Sequence, residues 1–148
     1  MPIKISQNVA WTVHKGSYLI HLLITFLLLI IFLSFLPQKE SIYLTIITYN
    51  IITFIFFHWI LGDPFAEIYS NLTFWEQMNE QLVYDQTILF MGLYPILQFV
   101  VGTRIAFHYC YDDEFKLYFL CILTTCFVLV PKLGFMHKRR ILGLRDIN

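Results

Sequence analysis

The sequence predicts an all-α integral membrane protein: a bundle of four spans with short cytosolic tails and one amphipathic helix in a cytosolic loop. Two observations carry this. Of 148 residues, 58% are hydrophobic and only 14% charged, too little charge to cover a water-soluble domain of this size. The apolar residues also fall in blocks near the length of about 20 that crosses a hydrocarbon core as a helix. The formal net charge is zero, which argues against nucleic acid as a partner, since phosphates require a basic surface. Cys110, Cys121 and Cys126 are odd in number and two lie in an apolar stretch. They read as packed thiols and not as a disulfide framework.

The chain reads as one membrane domain, 1–148, with spans at about 18–36, 42–61, 88–107 and 115–131. The first, Tyr18 to Leu36, starts too deep and runs too long for a cleavable signal. Pro37-Gln38-Lys39-Glu40 follows it in place of a small-residue cleavage site. The second, Ile42 to Leu61, is rich in β-branched residues and interrupted by Asn50. Lipid forces backbone hydrogen bonds to close within the segment, so it is helical all the same. Pro37 to Ser41 then form a tight turn. The third, Ile88 to Phe107, contains Pro95, where a kink is expected. The fourth reaches membrane length only with its flanks, Lys116 snorkelling to the interface; a re-entrant segment is the alternative there.

Lys and Arg set orientation. The tails hold Lys4 and Lys15, and Lys132, Lys138, Arg139, Arg140 and Arg145; the first turn has Lys39 alone and Asp112-Asp113-Glu114 is acidic. Both termini therefore read as cytosolic, and so does the loop 62–87, although it holds no Lys or Arg. On that side the glycosylation pattern Asn71-Leu72-Thr73 stays unmodified.

Within this loop Thr73-x-x-Glu76 has capping-box spacing, the hydroxyl and the carboxylate each satisfying an orphan amide at a helix start. Trp75, Met78 and Leu82 recur at helical spacing. This predicts a short amphipathic helix along the interface or against the bundle. Trp75 is then either an interfacial anchor or a partner contact.

No catalytic or metal constellation emerges: no HExxH, CxxC or Gly-rich phosphate loop occurs. His58 with Asp63 or Glu67, and His108 beside the acidic turn, fit packed or solvated residues better than metal ligands. His21 reads as a hydrogen-bonded intramembrane residue. Arg104 can snorkel outward and pair with the acidic turn. The chain is thus expected to be a binding or regulatory protein, not an enzyme, with no metal and no cofactor.

Several ordered blocks carry more information. They are Asn8, Trp11, Lys15-Gly16 and Tyr18; Gly62-Asp63-Pro64-Phe65; Trp75-Glu76-Gln77; Pro95-Ile96; Pro131-Lys132, His137 and Arg140-Ile141-Leu142-Gly143-Leu144. From about Ser6 to Leu144 they resemble the Orm/ORMDL family of endoplasmic-reticulum membrane proteins. The resemblance implies four spans with both termini cytosolic. It also implies an inhibitory, ceramide-responsive subunit of serine palmitoyltransferase, bound to its large subunits and the associated small subunit, with ceramide as regulatory lipid. Asn8, which by itself reads as a helix N-cap, maps onto the family's ceramide-contacting Asn. Its amide offers donor and acceptor to a lipid headgroup. Met1, Pro2, Ile3, Lys4 and Ile5 map onto the segment that approaches the synthase's substrate path. Trp11, His58, Pro64, Phe65, Trp75, Glu76, Gln77, Pro131, His137 and Arg140 are partner-contact or structural positions. The chain departs from the family pattern at Val13-His14, at Leu61 (basic in the family), at Asp63 (Thr) and at Gly134 (Pro). These departures suit a divergent paralogue. The rival reading is a small assembly factor or a channel-like oligomer unrelated to ceramide. A channel needs a polar stripe, and Thr45, Thr48, Asn50 and Thr53 do not form a clean one.

Overall fold

A computed structural model describes residues 5–14, 16–63, 67–83, 85–109 and 115–139. The expectations placed on Met1, Pro2, Ile3, Lys4, Pro64, Phe65, Arg140 and the 112–114 turn lie outside these residues. The described chain is all-α. It comprises α1 (Gln7–Ala10) with a 3-10 turn at Trp11–Val13, α2 (Ser17–Leu33), α3 (Gln38–Phe54), α4 (Phe74–Gln81), α5 (Gln86–Tyr109) and α6 (Phe115–Leu129). A π-helical turn, Ile55–Trp59, continues α3, and a 3-10 turn, Val130–Lys132, continues α6.

Among the described residues three helical segments are long and apolar enough to cross a membrane: Gln38–Trp59, Gln86–His108 and Phe115–Lys132. Helix α2 has 17 residues, about 26 Å at 1.5 Å per residue against a core of about 30 Å. It qualifies as a fourth when joined with Gln7–Val13. Side chains are distributed as lipid demands. Leu19, Leu23, Phe26, Ile51, Ile52, Leu89 and Leu97 face outward, while His21, Thr45, Asn50, Thr53, Gln98 and Thr125 are buried. A polar atom facing hydrocarbon has no water to bond, so polar groups turn inward and pair. Asn50 Nδ2 donates to Thr125 Oγ1 at 3.0 Å, and His21 Nδ1 shares a 2.7 Å bond with the Tyr49 hydroxyl.

Helix α3 lies centrally, packed on α2, α5 and α6. One apolar cluster surrounds its first half through Ile42, Tyr43, Ile46, Ala106 and Cys121. A second gathers at its far end, where Phe57 meets Val9, Phe74, Trp75, Met78 and Met91. The turn before α3 differs from expectation. Pro37 is extended and α3 begins at Gln38, so Ser41 sits in its first turn and donates to Pro37 O at 2.8 Å. The connection is compressed into 34–37 because Ser34 and Leu36 still bond back to the carbonyls of Ile30 and Phe32. Lys39 consequently lies in the helix and is buried.

The end of the second span also differs. Ile60 turns extended and Leu61 forms an isolated bridge with Thr73. Gly62 follows at φ +92°, its N–H donating to Leu72 O at 2.9 Å. A Cβ there would meet the Ser70 carbonyl at 3.3 Å in a conformation that side chains rarely adopt. Glycine at this position is what lets the chain fold back to α4.

Candidate functional site

Helix α4 starts where its sequence says. Thr73 is the N-cap, Glu76 N–H donates to Thr73 Oγ1, and Thr73 N–H donates to Glu76 Oε2 at 2.8 Å, closing the capping box. The helix is not a surface element, however. Phe74, Trp75, Glu76, Gln77, Met78 and Gln81 are all buried. Burying polar side chains costs free energy unless their atoms are bonded, and the bonds made by Glu76, Gln77 and Gln81 join three distant parts of the chain.

The first is the amino-terminal segment. Ser6 N–H donates to Gln81 Oε1 at 2.6 Å, and Asn8 Nδ2 donates to Gln77 Oε1 at 2.9 Å. Between these bonds Val9 is fully buried in the cluster of Phe57, Trp75 and Met78. Trp11 stacks on Phe74 with ring centroids 6.0 Å apart. Ser6 holds the N-cap position of α1 and Asn8 lies inside the helix, which leaves the Asn8 carboxamide free of any capping duty. Ile5 is exposed.

The second is the Gly62 loop. Gln77 Nε2 donates to Gly62 O at 2.9 Å and to Leu72 O at 3.1 Å. The third is the carboxy-terminal segment. Lys138 N–H donates to Glu76 Oε1 at 2.9 Å, and Lys138 Nζ lies 2.8 Å from Glu80, with His137 Nε2 3.6 Å from the same carboxylate. Lys138 adopts φ 62°, an uncommon conformation for a non-glycine residue. It aims backbone and side chain at the two carboxylates together. The Glu80 carboxylate holds the Lys138 ammonium above its ordinary pKa, first by hydrogen bonding and then by charge.

Lys132 sits behind this assembly. Its Nζ donates to Met91 O at 2.7 Å and lies 5.1 Å from the Trp75 ring centroid and 5.5 Å from that of Phe57. The carbonyl it takes has a specific origin. Met91 is four residues before Pro95, and proline brings no N–H to the helical bond that Met91 O would accept. The ammonium supplies the missing donor, and the aromatic faces add cation–π attraction. Pro131 forms part of the half-buried 3-10 turn that presents Lys132. His58 packs against Phe54 and Trp75 at 5.7 and 6.0 Å.

Asn8, Trp11, His58, Trp75, Glu76, Gln77 and His137 thus come together around α4, from sequence blocks up to about 130 residues apart. Gln81 and Lys138 were not among the site residues expected from sequence, and Lys132, read there as part of the Pro131-Lys132 block and as a tail charge, was given no side-chain role. Gln81 had a legible signal, lying one helical turn beyond Gln77.

The model of the ORMDL family matches residues 6–140. The chain belongs to the ORMDL family. It is similar to Protein ORM1 of Saccharomyces pastorianus, 34% identical over 140 residues, covering 91% of this chain and 92% of that one. It is 35% identical to Protein ORM1 of Saccharomyces cerevisiae over 92% of its own length but 62% of that relative, less than two thirds of it. ORM1-like protein 2 of Homo sapiens is 29% identical over 136 residues, 88% of this chain and 86% of that one. ORMDL membership supports a regulatory, non-enzymatic role in sphingolipid synthesis, and the apolar helices fit a membrane protein.

Proposed function

We propose that this chain is an inhibitory subunit of serine palmitoyltransferase. In this reading it sits in the endoplasmic-reticulum membrane as a four-span bundle with both termini cytosolic, and gives ceramide-responsive control of sphingolipid synthesis. The observation that carries the reading is the docking of the Asn8 segment on α4 through Gln77 and Gln81. It holds a half-buried carboxamide against the buried helix α4. In this reading residues 1–5, which precede Asn8 in sequence, are the segment that limits access to the substrate path of the bound synthase. Ceramide held at Asn8 favours the arrangement in which they obstruct it. The coupling is ordinary linkage: the lipid binds the inhibited state more tightly than the active one, by whatever factor it shifts the equilibrium.

The test uses tagged chain purified in mild detergent. The synthase large subunits co-purify. Asn8→Ala leaves that recovery unchanged and raises the ceramide concentration needed for half-inhibition by about tenfold, the scale of one lost hydrogen bond in a low-dielectric site. Failure to recover the subunits, or unchanged ceramide sensitivity in the variant, refutes the reading.

A further inference from the structure

We infer that Gln77 is a positioning residue that turns the Asn8 carboxamide so that its carbonyl oxygen alone faces the ligand, making the site selective for a lipid group that donates a hydrogen bond. This rests on the reading of Asn8 as a ligand contact.

The argument follows donors and acceptors around a closed frame. Gln77 is fully buried. Its Nε2 carries two hydrogens, and both have carbonyl acceptors, Gly62 O at 2.9 Å and Leu72 O at 3.1 Å. Those carbonyls are themselves held, because Gly62 N–H also donates to Leu72 O. A flipped Gln77 amide would set Oε1 against two carbonyl oxygens and take the donor away from Gly62 O, at a cost of about 1–3 kcal/mol for a buried group left unmet. Oε1 must therefore point at Asn8. Since Oε1 only accepts, Asn8 must turn Nδ2 toward it, and that bond measures 2.9 Å. Asn8 Oδ1 is the atom left over. Among the described residues nothing donates to it, and the side chain is half-buried. An unconstrained Asn would present either face to a lipid; this one presents an acceptor. The complementary group is an amide N–H or a hydroxyl, not a carbonyl or ether oxygen.

The experiment titrates lipid analogues against the reconstituted complex of this chain with serine palmitoyltransferase. Three ligands are compared: ceramide, its thioamide analogue, and an analogue methylated at the amide nitrogen and at both the 1- and 3-hydroxyls. A thioamide keeps a strong N–H donor but has a poor acceptor; the methylated lipid keeps its carbonyl acceptor and loses all three donors. The thioamide is expected to inhibit within about twofold of ceramide, and the methylated lipid to need about tenfold more. The reverse order overturns the inference. Gln77→Met, of similar length and unable to hold the carboxamide, should shrink the ratio between the two analogues toward one. A purely structural role for Gln77 would weaken both ligands equally and leave the ratio intact, which also overturns it. If Gln77→Met does not assemble, the ligand order in the unaltered chain decides alone. Asn8→Ala separates the two levels. If it leaves every ligand's potency unchanged, the contact itself is wrong; if it abolishes the response while the analogue order is reversed, only the orientation is wrong.

Discussion

The pairing of Lys132 with the carbonyl freed by Pro95 makes a quantitative prediction. Lys132→Met keeps most of the apolar stem but removes the donor to Met91 O, which lies 2.7 Å from Nζ. A stranded buried carbonyl costs about 1–3 kcal/mol. Losing cation–π contact with Trp75 and Phe57 adds about 0.5–2 kcal/mol. Removing a partly desolvated ammonium returns some of this, so the net destabilisation should be about 2 kcal/mol. Pro95→Ala changes the account. Alanine brings an N–H to the same carbonyl, in the ordinary helical bond from residue i to i−4. In that background Lys132→Met no longer strands Met91 O, and its cost should fall by at least about 1 kcal/mol. The assay is unfolding in detergent micelles titrated with sodium dodecyl sulfate, followed by tryptophan fluorescence, for the four proteins of a double-mutant cycle. Independent sites add within about 0.5 kcal/mol. Additivity within that margin would refute the claim that proline creates the acceptor that lysine fills.

Two further predictions concern the site's edges. Glu76→Ala removes the acceptor of Thr73 N–H and of Lys138 N–H, and should cost about 3 kcal/mol against about 1 kcal/mol for Thr73→Ala. Trypsin cleavage after Lys138 and Arg139 should accelerate in Glu76→Ala only, and equal rates in the two variants would contradict the tail contact. At the start of α5, Asp85 Oδ1 accepts from Thr87 N–H at 2.7 Å, and hydrogen bonding to Thr87 lowers the Asp85 pKa below its ordinary 3.8. A depressed carboxyl contributes stability that is present above the unfolded pKa and lost as pH falls through the folded one. Asp85→Asn should therefore flatten the acid limb of the stability profile below about pH 4 and leave the slope between pH 7 and 8 unchanged. An identical acid limb in the variant would exclude the cap.

Much of this molecule was determined locally. The apolar runs prescribe helices because a backbone in lipid has no partner but itself, and that holds for the β-branched run 42–59 as for Leu-rich α2. The capping box was readable because Thr73 and Glu76 are three residues apart, a separation that helix geometry alone converts into contact. Pro37 was readable as a break, yet not the length of the turn, since that depends on how far bonds from α2 persist. What the tertiary structure decided is where polar groups find partners across the chain. Asn8 and Gln77 are 69 positions apart, Glu76 and Lys138 are 62 apart, and Met91 and Lys132 are 41 apart. No periodicity encodes such pairs. The first two follow from the packing of α1 and the carboxy-terminal segment against α4, and the third from the seating of the turn after α6 on α5. Periodicity at Trp75, Met78 and Leu82 marked one apolar face of α4; burial of Glu76 and Gln77 beside it became possible only when other segments supplied their hydrogen bonds. A sequence states which residues can donate and accept. The fold decides which of those atoms find partners within the chain, and for Asn8, among the described residues, that is its amide nitrogen and not its carbonyl oxygen.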